Sequence, residues 1–125
     1  MTNSDYKDGL IYVTPNANRK DGEIVDSKLL WTLENFSRFI RPGAVRVDVR
    51  SSQADVNDPE GLMVSAYVNA QERTLTCVVV NYSEHSNPVR LDVSGLSVRA
   101  FVPYLTSDTH SDNLKPQPPV APLTP

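Results

Sequence analysis

The hydrophobic pattern changes its period once, between residues 28 and 50. Over residues 28–40 apolar side chains recur at three- and four-residue spacing, which predicts an amphipathic helix. That stripe consists of Leu29, Leu30, Leu33, Phe36 and Ile40, widened by Trp31 and Phe39. Pro42 predicts the end of the helix, because proline cannot continue a helix and disfavours the α conformation at Arg41. Residues 44–50 then alternate apolar and charged side chains, which predicts a strand.

Short apolar runs between polar turns predict further strands. Residues 62–68 and 74–82 are joined by a hairpin-length connection, and the second run is almost continuously apolar. Such a run predicts a central strand buried on both sides, or one face of a sandwich with a partly covered back. Two more strands are predicted over residues 89–93 and 98–105, where Pro103 suits an edge or a bulge. Regular strand spacing with polar turns favours a mainly β chain, an antiparallel β-sandwich preceded by one helix.

Little packed structure is predicted at either end. We expect a flexible lead over residues 1–9, a short strand over 10–13 and a loop over 14–25, followed by Asp26 or Ser27 as the helix N-cap. Five prolines among the last ten residues predict an extended tail. The predicted segments are therefore a lead (1–27), a helix (28–41), a β-sandwich domain (43–106) and a polar, proline-rich tail (107–125).

Composition limits the classes of molecule with which this chain is expected to interact. A length of 125 residues, 39% hydrophobic residues and a net charge of −3 indicate one domain with a modest core. The sequence has no basic block typical of nucleic-acid binding and no apolar run near the eighteen or so residues of a membrane span. The polar start MTNSDYKDG predicts no signal peptide in this chain. Cys77, the single cysteine, excludes an internal disulfide and is predicted to be a buried structural thiol.

The sequence contains few candidate residues for catalysis or metal binding. The histidines His85 and His110 lie in polar turns without a second metal ligand at suitable spacing, and we expect both to be solvated. The acidic residues Asp55, Asp58 and Glu60 cluster in a polar insert where nothing apolar would raise their pKa. We therefore assign no catalytic, cofactor-binding or metal-binding residue.

One segment carries a family resemblance. Residues 30–43, LWTLENFSRFIRPG, closely resemble the junction in glycoside hydrolase family 30, where the last helix of the catalytic barrel passes directly into a β-sandwich. Residues 61–67, 76–83 and 91–96 look like successive strands of that sandwich, and the resemblance covers roughly residues 9–115. The structural junction that it implies consists of Trp31, Phe36, Arg38, Phe39, Arg41, Pro42 and Gly43.

The resemblance implies an absence of catalytic residues. Family members are retaining glycosidases such as glucosylceramidases, endo-β-1,6-glucanases and glucuronoxylanases, and they cleave with two glutamates that lie upstream of the last barrel helix. We expect neither glutamate in this chain, in which residues 10–13 correspond at most to the eighth barrel strand. The chain is thus expected to be a non-catalytic C-terminal β-sandwich fragment associated with glycan or glucosylceramide hydrolysis. It is also expected to lack sheet strands at both ends, which would leave two edges unpaired.

The same resemblance sets the expected partners. They are the catalytic barrel of the parent enzyme, a β-linked glycan, and a second copy docking through the exposed helix face. Side chains such as Trp31, Leu33, Phe36 and Phe39 should have less cover than their hydrophobicity warrants, because a barrel would cover part of the helix. Relatives are commonly secreted or periplasmic, and the localisation of this chain is left open.

Two alternative functions remain from the sequence. A stand-alone carbohydrate-binding sandwich would need a row of exposed aromatic rings, for which Tyr67, Tyr82 and Tyr104 are the strand candidates. An immunoglobulin-like interaction domain is the other alternative, and it leaves the long helix before the first sandwich strand unexplained.

Overall fold

The computed structural model describes residues 8–18, 20–52 and 61–123. The predicted mainly β class, with antiparallel sheets and a single helix, is confirmed for these residues. In chain order the elements are β1 Ile11–Pro15, β2 Gly22–Asp26, α1 Lys28–Ser37, β3 Val45–Val47, β4 Leu62–Asn69, β5 Thr74–Asn81, β6 Tyr104–Leu105 and β7 Lys115–Pro116. The chain divides into two compact units, Met1–Asn35 with Val102–Val120 and Phe36–Phe101 with Ala121–Pro125. The predicted segment boundaries stay a prediction.

The first unit opens with a β-hairpin. Strands β1 and β2 pair antiparallel, with Val13 opposite Ile24, and the Asn16 N–H closes the loop by donating to the Asp21 carbonyl at 2.7 Å. The predicted loop over residues 14–25 is therefore wrong at residues 14–15, which end β1, and at residues 22–25, which belong to β2. The run Glu23-Ile24-Val25 is too short to show a period by itself, and β1 supplies the hydrogen-bonding partner that makes it a strand.

The end of the first unit is also better ordered than its composition suggests. Strands β6 and β7 pair antiparallel, and Leu114 just before β7 is only 3% exposed. Its N–H donates to the Thr106 hydroxyl at 3.1 Å. The predicted extended tail without a packed core is thus wrong up to Pro116, because one apolar side chain anchors a polar loop whose composition alone indicates disorder.

The second unit contains a three-stranded antiparallel sheet in the order β3-β4-β5. Ala66 of β4 lies opposite Val47 on one side and Cys77 on the other. At the turn between β4 and β5, the Asn69 side-chain oxygen accepts the N–H groups of residues 71 and 72 at 3.1 and 3.2 Å. The predicted hairpin is confirmed, whereas the interpretation of β5 as a central strand is wrong. Among the described strands, β4 is central and β5 is an edge.

Two other predicted strands are lost or shortened. Residues 89–93 contain no strand, and of residues 98–105 only β6 is one. The Arg90 Nε donates to the Asp92 carboxylate at 3.0 Å. The predicted strand over residues 89–93 is therefore wrong, because alternation does not reveal whether a partner strand lies alongside. The turn over residues 57–61 falls mostly outside the described residues.

Helix α1 begins after the N-cap Ser27. The Leu30 N–H lies 3.4 Å from the Ser27 hydroxyl, which confirms one of the two predicted caps. The helix ends at Ser37 instead of continuing to residue 40 or 41. Phe39 and Ile40 both donate their N–H groups to the Phe36 carbonyl, at 3.2 and 2.8 Å, so the last turn tightens before the proline.

Tyr12 on β1 provides a stability test. Its hydroxyl oxygen is buried and has no hydrogen-bond partner in the described part of the chain. Replacing Tyr12 by Phe should leave the free energy of unfolding unchanged or raise it by up to about 1 kcal/mol, because a buried unsatisfied hydroxyl is costly. Urea unfolding measures this, with Tyr82→Phe as the exposed control. A loss above about 1 kcal/mol for Tyr12→Phe would show that the hydroxyl is satisfied in solution.

Candidate functional site

A tight turn joins α1 to β3. Gly43 has a φ of 95°, and an added Cβ would meet nothing nearer than the Asn69 side-chain nitrogen at 3.9 Å. Glycine is therefore favoured here by the backbone conformation and not by lack of space. The Arg41 guanidinium donates to the Ser37 carbonyl at 2.9 Å, and the Ala44 N–H donates to the Arg41 carbonyl at 3.0 Å. These two bonds hold the turn itself.

The aromatic residues of the predicted junction are partly covered. The Arg38 guanidinium carbon lies 5.5 Å from the centre of the Phe39 ring, within the range of a cation–π contact. Trp31, on α1, donates its indole N–H to the carboxylate of Asp26, the last residue of β2, and this bond restrains the indole ring. Trp31 and Phe39 are half-buried, and no residue of α1 is fully buried.

One face of α1 is apolar and exposed. Leu29, Leu33 and Phe36, which we call the helix stripe, are spaced by four and three residues and are 45%, 49% and 37% exposed. This confirms the expectation of incomplete cover for Leu33 and Phe36. The apolar stripe of a surface helix normally packs against the core of its own domain. In α1 the stripe is instead exposed to water, which is unusual for a domain that folds without a partner.

A second exposed apolar surface lies on the β1–β2 hairpin. Val13 and Ile24 are directly opposite each other and are 64% and 72% exposed, and Ile11 lies two residues from Val13 on the same face. We call these three residues the hairpin patch. Sequence reasoning missed it, because β2 was predicted as loop. The signal available was the apolar pair Ile24-Val25, one residue after the Asp21-Gly22 turn.

The most elaborate polar cluster surrounds Lys28. Its ammonium donates to the carbonyls of Thr109 and Asp112 at 2.6 and 3.1 Å and to the Asn113 side-chain oxygen at 2.5 Å. The Ser107 hydroxyl donates to the Asp112 carboxylate at 2.8 Å within the same loop. This arrangement, the lysine clamp, ties the start of α1 to the loop before β7. Sequence reasoning missed it, because its partners lie more than eighty residues away.

No group of three His, Cys, Asp or Glu side chains among the described residues is arranged to hold a metal ion. Cys77 is half-buried, and burial raises the pKa of its thiol, so it is a weak nucleophile at neutral pH. His110 is exposed in a turn. The predicted acidic cluster at Asp55, Asp58 and Glu60 lies outside the described residues.

The three strand tyrosines do not present a row of exposed rings. Tyr82, after β5, is exposed, whereas Tyr67 on β4 and Tyr104 on β6 are half-buried. Stacking on a sugar needs an open ring face, so only Tyr82 offers one. α1 is too short and too polar to cross a membrane, and it is the one helix that the described residues contain.

No protein-family profile, curated protein sequence or solved structure matches this chain. The resemblance to family 30 glycoside hydrolases thus rests on the residues quoted for it.

The lysine clamp predicts a large cost for removing the ammonium. Lys28→Met should lower the free energy of unfolding by about 2 to 3 kcal/mol, since charge-assisted bonds are lost and partly buried oxygens lose their donor. Lys115→Met is the matched control, because its ammonium lies 3.6 Å from Asp112 and is exposed. That control should cost less than about 1 kcal/mol in the same urea titration. Equal losses for the two variants would contradict the clamp.

The junction turn predicts a graded series at Gly43. Gly43→Ala should destabilise the chain by about 1 to 2 kcal/mol, because an L residue is strained at positive φ. Gly43→Asn should cost less, since asparagine tolerates this region better than alanine. Thermal unfolding followed by circular dichroism would rank the variants, and the reverse order would rule out backbone strain as the cause.

Proposed function

We propose that this chain is the non-catalytic C-terminal region of a family 30 glycoside hydrolase and serves glycan or glucosylceramide hydrolysis by bracing a catalytic barrel. In this proposal the catalytic glutamates lie in the barrel, upstream of α1. Residues of this chain position that barrel and do not touch the glycosidic bond.

The local geometry of residues 28–47 supports the proposal. The resemblance implies a helix that stops at a proline and runs directly into a sheet. Helix α1, the turn fixed by Arg41 and Gly43, and strand β3 follow one another in that order. A short turn closed by hydrogen bonds suits a structural seam.

The observation that carries the proposal is the exposure of the helix stripe and the hairpin patch. Each of their six side chains leaves roughly half of its surface in water, and covering that half would contribute about 1 kcal/mol per side chain. The gross gain is then about 6 kcal/mol. Bringing together two separate chains costs roughly 4 to 15 kcal/mol in lost freedom, so this surface is too small for tight binding between free molecules. It suffices for a partner within the same polypeptide, whose effective concentration is high.

The test is the reading frame upstream of Met1, followed by variants in the longer protein that it encodes. The proposal expects an in-frame barrel with glutamates at the ends of two of its strands. In that protein Ile24→Lys and Leu33→Lys should lower the melting temperature and reduce glycosidase activity on β-linked substrates. Thr14→Lys is the matched control, because Thr14 lies on the same hairpin and is exposed on its other face.

Two results would overturn the proposal. One is an upstream frame without any barrel sequence. The other is a longer protein in which Ile24→Lys and Leu33→Lys behave like Thr14→Lys in both melting and activity, since the two surfaces would then not face a barrel.

A further inference from the structure

Prolines recur at a fixed interval in the chain from β7 onward. Pro116, Pro119 and Pro122 are spaced by three residues, and Pro118 lies between the first two. Residues 116–123, which we call the proline segment, contain no charged residue and no glycine. A polyproline II helix has three residues per turn, so prolines at this spacing lie along one edge of such a helix.

The sequence of the proline segment restricts its own backbone. A proline ring fixes φ close to the polyproline II value, and the residue before a proline is confined to the extended region. Within the segment only Val120 and Leu123 escape both restrictions. Residues 117–119 and 121–123 belong to neither helix nor strand, and Val120 forms a single β-bridge. A partner that binds the segment in an extended conformation therefore has little backbone freedom left to remove.

The proline segment is anchored at its start and open to water beyond it. The Gln117 N–H donates to the Pro103 carbonyl at 2.8 Å, next to the pairing of β6 with β7. Pro118, Pro119 and Pro122 are all exposed. A partner can therefore reach these three rings while the hydrogen bond holds the start of the segment in place.

Three common ways of binding a peptide do not suit the proline segment. A strand added to a sheet needs N–H donors on alternate residues; one edge lacks them at Pro116, Pro118 and Pro122, and the other lacks one at Pro119 and has already used that of Gln117. A helix docked in a groove is excluded by the internal prolines, and recognition of charge by the absence of charged residues. The remaining mode is a polyproline II helix in an aromatic-lined groove.

We propose that the proline segment docks, as a polyproline II helix, into the aromatic-lined groove of a partner protein of the kind that SH3 domains carry. A proline-rich stretch that served only as a spacer would need proline content but no fixed interval. The interval of three residues is what a groove with pockets one helical turn apart would recognise. This inference does not depend on the proposed barrel contact, which uses the helix stripe and the hairpin patch.

The first test titrates the isotope-labelled full chain with unlabelled SH3 domains, chosen so that the rims of their grooves differ in charge, and follows the amide signals by NMR. Because a segment of eight residues buries little area, we expect a dissociation constant of about 100 µM for the best of them. The shift changes should centre on the non-proline amides of the segment, which are those of Gln117, Val120, Ala121 and Leu123. Binding by none of these domains would overturn the proposal.

Two neighbouring prolines provide a matched pair of variants. Pro119→Ala removes the middle proline of the three-residue series and should weaken binding about ten-fold. Pro118→Ala is the control, because it makes the same substitution at an exposed neighbouring residue and leaves the series intact. The control should weaken binding less than about three-fold. Equal losses for the two variants would contradict recognition of the interval.

Exchanging two residues separates the interval from proline content. The double variant Pro119→Val, Val120→Pro keeps the composition but moves the middle proline out of the series, and it should bind as weakly as Pro119→Ala. Far-UV circular dichroism verifies that all variants are folded. An exchanged variant that binds like the unchanged chain, or shift changes centred outside the proline segment, would overturn the proposal. The barrel proposal would be unaffected, since none of these substitutions touches the helix stripe or the hairpin patch.

Discussion

The antiparallel pairing of β4 with β5 is the interaction on which the second unit depends. Its register matches eight residue pairs, from Leu62 opposite Asn81 to Asn69 opposite Thr74. Leu62, Ala66 and Val78, three of the most buried apolar side chains among the described residues, lie on these two strands. Ordering a backbone costs roughly 1 to 2 kcal/mol per residue, so β3 and the loops that follow β5 persist because this ladder already exists. β3 needs only three pairs, since β4 presents it with a preformed edge.

The first unit is held together differently. Its hairpin exposes one apolar face, and its best covered side chain, Leu114, comes from the far end of the unit. Hydrogen bonds from Lys28 and Asn35 to the loop around residues 106–113 join these sequence-distant parts. Each hydrogen bond of this kind contributes only modestly to the free energy of folding, but it restrains the relative positions of the groups that it joins. The unit therefore combines a well-defined arrangement with an exposed apolar surface. This combination is expected where contact with another surface completes the packing.

Sequence reasoning was most successful where the signal is local. The strands β4 and β5, the turn after Asn69, the Ser27 cap and the stop before Pro42 all follow from neighbours within a few residues. It failed where the partner is distant. Nothing near Ile24 reveals that β1 will pair with it, and nothing near residues 89–93 reveals that no strand will in the described structure. The helix stripe could be predicted as exposed only through a resemblance, whereas the lysine clamp requires knowledge of contacts 81 to 85 positions apart.

That long separation has a consequence for biosynthesis. A ribosome adds 5 to 20 residues per second, so roughly 4 to 17 s pass between the appearance of Lys28 and that of Asn113, its acceptor. During this interval the nascent β1–β2 hairpin and the beginning of α1 lack the hydrogen bonds of the lysine clamp. Strands β4 and β5 emerge close together in time and can pair within microseconds. Vectorial translation thus imposes an order of maturation in which the middle of the polypeptide folds first and its two ends meet last.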